Sequence, residues 1–146
     1  MVLAATLLVP ACGDQIAPYS LEAYKNETAL KADVAALVAM SASPHASHQT
    51  DIDGLTLKLN EAYEFSKGEA YNKLSTAEWE ILLKPDGDLY YKFLSKWSAK
   101  GQLNACEIAN WKTLLGRAFD TMICLEANKQ SATACPAPEA LPPGPC

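Results

Sequence analysis

The chain has 146 residues, of which 49% are hydrophobic and 20% are charged. These proportions are typical of one globular domain and exclude an intrinsically disordered chain. The formal net charge is −5 and the 12 lysine and arginine residues are scattered along the chain, which argues against a nucleic-acid-binding protein. No apolar run reaches the roughly 18 residues that a membrane-spanning helix needs.

The chain begins with an apolar, uncharged segment, MVLAATLLVPA, and Cys12 follows it directly. The stretch Val9-Pro10-Ala11-Cys12 resembles the cleavage box of a bacterial lipoprotein signal peptide, in which small residues precede a cysteine. That resemblance implies cleavage before Cys12, a diacylglycerol on its thiol, and a lipid-anchored protein on the periplasmic side of the bacterial cell envelope. Because Gly13 rather than an aspartate follows the cysteine, the resemblance implies the outer membrane more than the inner one.

Two other interpretations of residues 1–11 stay open. The segment is a secretory signal without a lipid, or it is an ordinary buried part of the fold. Under the lipoprotein interpretation the membrane is the first partner of the chain, because two or more acyl chains hold a protein stably on a bilayer.

Behind the cysteine, the pattern predicts a linker over residues 12–19 and a single all-α bundle of four to five helices over residues 20–130. Ser20 is a typical N-cap for a first helix over residues 21–40, which ends before Pro44. A second helix is predicted from about residue 50 to residue 67, closed by Gly68. Its positions at steps of three and four residues predict one buried face: Ile52, Leu55, Leu59, Ala62 and Ser66.

Two shorter helices follow. Ser75 and Glu78 have the spacing of a capping box and predict a helix over residues 76–84. Pro85-Asp86-Gly87 predicts a turn. Asp88 is then the predicted N-cap of a helix over residues 89–100, which Gly101 ends.

The last helix has the longest apolar pattern. Asn104 and Glu107 predict its N-terminal cap. The apolar positions then continue over about five turns: Ile108, Trp111, Leu115, Ala118, Met122 and Leu125. Three further apolar residues, Leu114, Phe119 and Ile123, widen this stripe beyond a strict seam, which is typical of the core helix of a bundle. Beyond residue 130 the periodicity stops, and five prolines in residues 131–146 predict an extended, cysteine-containing tail.

The five cysteines are an odd number. If Cys12 carries a lipid, four remain as disulfide candidates: Cys106, Cys124, Cys135 and Cys146. Cys106 and Cys124 are separated by about 27 Å if one helix holds both, whereas a disulfide needs Cα atoms within about 7 Å. That pairing is excluded, and a bridge between Cys124 and Cys135 is favoured, with Cys106–Cys146 as its companion. The alternative is that Cys106 and Cys124 are reduced core residues.

The only two histidines, His45 and His48, lie just before Asp51 and Asp53 and form a weak candidate for a metal site. Their spacing falls in a proline-containing loop, so no helix face orients the two rings. We therefore predict exposed loop histidines and no bound metal or other cofactor.

The three tryptophans stand one per predicted helix, at apolar positions: Trp79, Trp97 and Trp111. This placement predicts core packing, and a ligand groove lined by the indole rings is the alternative.

The chain has no haem-attachment motif, no glycine-rich phosphate loop and no Gly-x-Ser-x-Gly motif. With structural signals and no catalytic one, the sequence predicts a non-enzymatic envelope protein that binds or scaffolds a protein partner. The first alternative is a periplasmic protein that binds a small ligand or a metal. A third class, an enzyme with dispersed carboxylates, stays open because 17 acidic residues allow many pairings.

Overall fold

A computed structural model describes residues 16–84 and 89–129, and Cys135. These residues form five α-helices and no strand, so the predicted all-α fold is confirmed. A single 3₁₀ turn, His45–His48, leads directly into the second helix. The helices are α1 (Leu21–Met40), α2 (Gln49–Gly68), α3 (Lys73–Leu83), α4 (Leu89–Lys100) and α5 (Ala105–Ala127).

The helices form an up-down-up-down bundle in which α3 and α4 together make the third arm. Each arm packs against two others: α1 lies between α2 and α5, and α3 also lies between α2 and α5. At one end, which we call the entry end (residues 16–27, 65–74 and 126–129), Ala17 N donates to Tyr71 O at 3.1 Å. At the far end (residues 41–48 and 100–104), Leu103 N donates to Ser41 O at 2.8 Å.

The apolar seams meet in one core. In α2 the buried residues are the five that the spacing predicts, from Ile52 to Ser66. Trp79 and Trp97 are fully buried at the centre of that core, while Trp111 is half-buried and packs on Phe93. The tryptophans therefore serve the core and line no large groove.

Two predicted helix caps are present. Ser20 Oγ accepts a hydrogen bond from Ala23 N at 3.2 Å at the start of α1. In α5, Asn104 Oδ1 accepts from Glu107 N at 3.0 Å, and Glu107 Oε2 accepts from Asn104 N at 3.2 Å. Each cap satisfies N–H groups that the first helical turn leaves without a partner.

The predicted capping box of α3 is wrong. The helix begins at Lys73, three residues before the predicted start, and Ser75 lies inside it and is buried. The Asn72 side-chain amide donates instead to Ser66 O at 3.0 Å and to Ser66 Oγ at 2.9 Å. This tie between the end of α2 and the start of α3 fixes the helix start, so Ser75 is too late in the chain to cap it.

The predicted glycine cap of α2 is also wrong. Gly68 is still helical, and the chain reverses at Tyr71, whose φ of 62° lies in the left-handed region. Gly101, with φ of 79°, does end α4 as predicted. The predicted turn at residues 85–87 and the Asp88 cap lie outside the described residues. So do residues 1–15 and, except for Cys135, residues 130–146.

The buried stripe of α5 agrees with the prediction in part. Leu115, Ala118 and Met122 are buried, and so is Phe119, one of the positions predicted to widen the stripe. Ile108, Trp111 and Leu125 are only partly buried, whereas Glu126, which was not predicted, is fully buried. The helix packs against α1, α3 and α4 at once, which gives it the broad inward face that the sequence predicts.

Candidate functional site

The structure brings together only part of the predicted cysteine set. Cys124 and Cys135 form a disulfide with their Cα atoms 5.7 Å apart, which is the pairing that the spacing favours. Cys106 is exposed and is also disulfide-bonded, so it is not a reduced core residue. The predicted partner of Cys106, Cys146, lies outside the described residues, and so does the predicted lipid site Cys12.

The two histidines lie at the far end of the bundle and are not the exposed loop residues that the sequence predicts: both are half-buried in the 3₁₀ turn. The rings of His45 and His48 pack on the Trp97 ring, with centroids 5.1 and 5.6 Å away. His48 Nδ1 lies 3.1 Å from Asp51 Oδ2, whereas the carboxylate of Asp53 accepts from another side chain. Within residues 16–84 and 89–129, and Cys135, no group of three His, Cys, Asp or Glu side chains is arranged to hold a metal ion.

Four charged side chains gather at the entry end in what we call the buried charge cluster: Glu27, Glu69, Glu126 and Lys129. Lys129 Nζ lies 2.7 Å from Glu126 Oε2 and 3.5 Å from Glu69 Oε2. Glu126 Oε1 accepts from Ser20 N at 2.5 Å. The cluster thus joins the start of α1, the end of α2 and the end of α5, and the cost of burying its charges is offset only in part by these contacts.

Glu27 is the member of the cluster whose protonation the fold changes most. It is 98% buried, with a relative exposure of 2%, and its Oε2 atom has no hydrogen-bond partner. Burial raises the pKa of Glu27 to about 8; the charges of Glu126 and Glu69 add to this rise and Lys129 opposes it. At neutral pH this carboxyl group is therefore mostly protonated.

A small cavity beside the cluster has a volume of about 10 Å³ and is lined by Glu27, Asn72, Trp79 and Glu126 among others. This is room for about one water molecule and no more. Asn72 Oδ1, which has no hydrogen-bond partner, also belongs to this region. The cavity is too small for a substrate.

A much larger groove of about 380 Å³ runs between α1 and α5. Its floor is apolar and consists of small or branched side chains: Val34, Ala35, Val38, Leu115 and Gly116. A volume of this size lies within the range of small-molecule sites, which is roughly 300–1,000 Å³.

The rim of the groove is cationic, in contrast to the whole chain. Lys31, Lys112 and Arg117 stand on it together with a single acid, Asp120. Lys31 forms an ion pair with Asp120. No ion pair of Lys112 or Arg117 is found within the part of the chain that the structure describes.

Gly116 gives the groove part of its depth. A Cβ atom placed on Gly116 meets no heavy atom within 4 Å. The residue is half-buried in the middle of α5, where glycine lowers helix stability relative to alanine by about 1 kcal/mol. The Cβ atom of a larger residue would therefore enter open space at the groove.

Sequence reasoning missed both the groove and the buried charge cluster. One signal for the cluster is present in the sequence: Glu27 follows the buried Ala23 by four residues and precedes the buried Leu30 by three. A charged residue in the register of an apolar seam must be buried with a partner or must shift the helix. The groove has no such signal, because its two walls are distant in the chain.

The described helices include none that is long and apolar enough to cross a membrane. Comparison with known proteins gave no match to a family model, to a curated protein or to a solved structure.

Proposed function

We propose that the chain is a lipid-anchored envelope protein that acts as a non-enzymatic binding module, with the α1–α5 groove as its binding surface. The anchor in this proposal is Cys12, and the partner is a protein that offers an acidic, amphipathic helix. The observation that carries the proposal is the groove itself: an apolar floor, two cations on its rim that form no ion pair with the described residues, and a glycine at its base.

The chemistry of the groove selects such a partner. An amphipathic helix lays apolar side chains at i, i+3 or i+4, and i+7 into a hydrophobic groove. Carboxylates beside that stripe would face Lys112 and Arg117, and opposite charges on two surfaces favour association and fix the register. The net charge of −5 on the chain disfavours acidic partners elsewhere on the surface, so the cationic rim gives specificity.

A second candidate function is supported by the groove volume of about 380 Å³. A small amphipathic anion, with an apolar body and one carboxylate or phosphate, would use the same floor and the same two cations. In that case the protein is a periplasmic small-ligand carrier. The His45 and His48 pair adds nothing to this candidate, because both rings pack on Trp97.

The test is photo-crosslinking in bacterial cells that produce the full chain, with a benzophenone amino acid in place of Ala35 on the groove floor. We expect a crosslink to one protein that Gly116→Leu abolishes, because the leucine side chain fills the groove. The matched control is Gly54→Leu in α2, where a Cβ atom also meets nothing within 4 Å. The charge reversal Arg117→Glu should weaken the crosslink at least tenfold.

The anchor is tested in the same cells. Alkynyl palmitate should label the full chain and not its Cys12→Ser variant, and the variant should leave the membrane fraction. A crosslink that persists in Gly116→Leu would contradict the proposal that the groove binds the partner. The small-ligand function replaces the first proposal under two conditions. No protein is captured in cells, and a dansyl-labelled undecanoate binds the purified parent protein but not its Gly116→Leu variant.

A further inference from the structure

Large apolar side chains that face solvent are concentrated at the entry end. Nine such residues are exposed in the described part of the chain, and three of them lie elsewhere: Met40, Leu57 and Ile81. The other six form what we call the entry-end patch: Ile16, Tyr19, Leu21, Phe65, Tyr71 and Leu74. Single exposed apolar residues are ordinary on protein surfaces, but a concentration at one end marks an interaction surface.

The patch is built from three separate parts of the chain that the fold brings together. Ala17 N donates to Tyr71 O at 3.1 Å, which places the segment before α1 against the α2–α3 turn. Phe65 near the end of α2 and Ala23 in the first turns of α1 line one cavity. The apolar residues therefore surround the point at which the chain enters the bundle.

Tyr71 gives an independent indication that the patch has a role outside the fold. Its φ of 62° is strained for a bulky side chain and is normally the place of glycine or asparagine. The side chain is 61% exposed, so its burial does not offset this strain. Residues held in such strained conformations cluster at functional sites.

We propose that the entry-end patch lies against a lipid bilayer, with Tyr19, Tyr71 and Leu74 in the headgroup layer. This inference rests on the lipid anchor proposed above. Cys12 precedes Ile16 by four residues, and four residues span at most about 14 Å. A lipid on Cys12 would therefore hold the entry end, and not the far end, beside the membrane.

The chemistry of the patch suits that layer. Tyrosine has an apolar ring and a polar hydroxyl, and it is enriched where a membrane meets water. Exposed charges around the patch have both signs, Lys67 and Lys73 but also Glu22 and Glu64. We therefore expect contact with neutral lipids and little dependence on anionic ones. The acyl chains would hold the protein, and the patch would orient it with the α1–α5 groove at the side and the far end outward.

The test measures which end of the full-length protein touches lipid. Mature protein from bacterial membranes is reconstituted into phosphatidylcholine vesicles with brominated acyl chains, which quench tryptophan at short range. The probe variant is Tyr71→Trp and the matched control is Leu57→Trp, because Leu57 has the same 61% exposure on α2, away from the patch. We expect brominated lipid to lower the added emission at least twofold in the first variant and to leave the second unchanged. Leu74→Trp replaces the first variant if Tyr71→Trp does not fold.

Separate measurements test the lipid anchor and the membrane contact of the patch. The mass of the N-terminal peptide shows whether Cys12 is acylated. If it is not, the proposed anchor fails, and the same variants of the full chain carrying Cys12→Ser are held on nickel-chelating lipids through an N-terminal histidine tag. In either arrangement, equal quenching of the two variants, or no quenching of Tyr71→Trp and Leu74→Trp, would overturn the membrane contact.

Discussion

Glu27 occupies a position that α1 otherwise fills with apolar residues. Its neighbours in the same register, Ala23 and Leu30, are buried in the core, and Glu27 is buried with them. A protonated carboxyl group is far cheaper to bury than a carboxylate, so the fold keeps the proton on Glu27 at neutral pH. The stability of the entry end therefore depends on Glu27 remaining protonated.

This proton makes stability depend on pH. The pKa of Glu27 is about 8 in the folded protein, against 4.5 for an ordinary exposed glutamate. The folded state thus binds more protons than the unfolded state between these values, and the contribution of Glu27 is complete below about pH 4.5 and lost as the pH rises through 8. We expect the free energy of unfolding to fall by up to about 1.4 kcal/mol per pH unit over this window.

Glu27→Gln should remove that part of the pH dependence, because a neutral amide of similar shape has no proton to lose. Urea unfolding at pH 5.5, 7 and 8.5 is the measurement, and the variant should gain stability relative to the parent as the pH rises. Glu61→Gln, at an exposed position on α2, is the matched control and should follow the parent. Parallel pH profiles for the parent and Glu27→Gln would contradict the assignment.

Helix ends show how local signals and tertiary contacts compete at the level of single elements. Asn104 caps α5 as its spacing predicts. Ser75 has the same spacing to Glu78, yet it lies inside α3. There the amide of Asn72 binds Ser66 across the turn, and this contact decides where the helix begins.

The two positions should respond differently to alanine. Asn104→Ala removes a capping box and should lower the free energy of unfolding by about 1 kcal/mol. Ser75→Ala should change it by less than about 0.5 kcal/mol, because alanine suits a helix interior and the serine caps nothing. Thermal unfolding of both variants, followed by circular dichroism, checks the contrast. A loss of equal size in Ser75→Ala would mean that its hydroxyl group supports the α3 start after all.

The bounds and buried faces of several helices could therefore be predicted from the sequence, whereas the groove and the buried charge cluster could not. The bounds of α1 and α4 and the buried face of α2 follow from periodicity and caps that lie close together in the sequence. The left-handed turn at Tyr71 could not be predicted, because the position that adopts a positive φ is not a glycine. The groove joins Val34 to Gly116, and a pattern within one helix carries no information about which distant helix faces it.

At the scale of the whole molecule, the disulfide links the last helix to the segment that follows it. Cys124 and Cys135 are separated by 11 residues, and the bridge returns the chain to α5 beside the buried charge cluster. A cross-link of this span limits the freedom of the unfolded chain and stabilises the folded state by about 3 kcal/mol.

The double variant Cys124→Ala/Cys135→Ala should lose about 2–3 kcal/mol of unfolding free energy. It should also unfold with a slightly larger dependence on urea concentration, because the unfolded chain becomes more expanded. Urea titration at pH 7 measures both quantities. An unchanged midpoint would show that residues 124–135 contribute no constraint to the unfolded state.

The hydrogen bond between Ser20 N and Glu126 Oε1, at 2.5 Å, places the start of α1 and the end of α5 side by side. A short peptide that joined residues 16 and 129 would therefore close the bundle into a ring without stretching any helix. The exposed residues Ala42 and Ser43, at the opposite end, are the natural place to open such a ring. A circular permutant that begins with α2 and finishes with α1 would keep every helix pairing of the bundle. The packing of this domain therefore does not require that α1 be synthesised first.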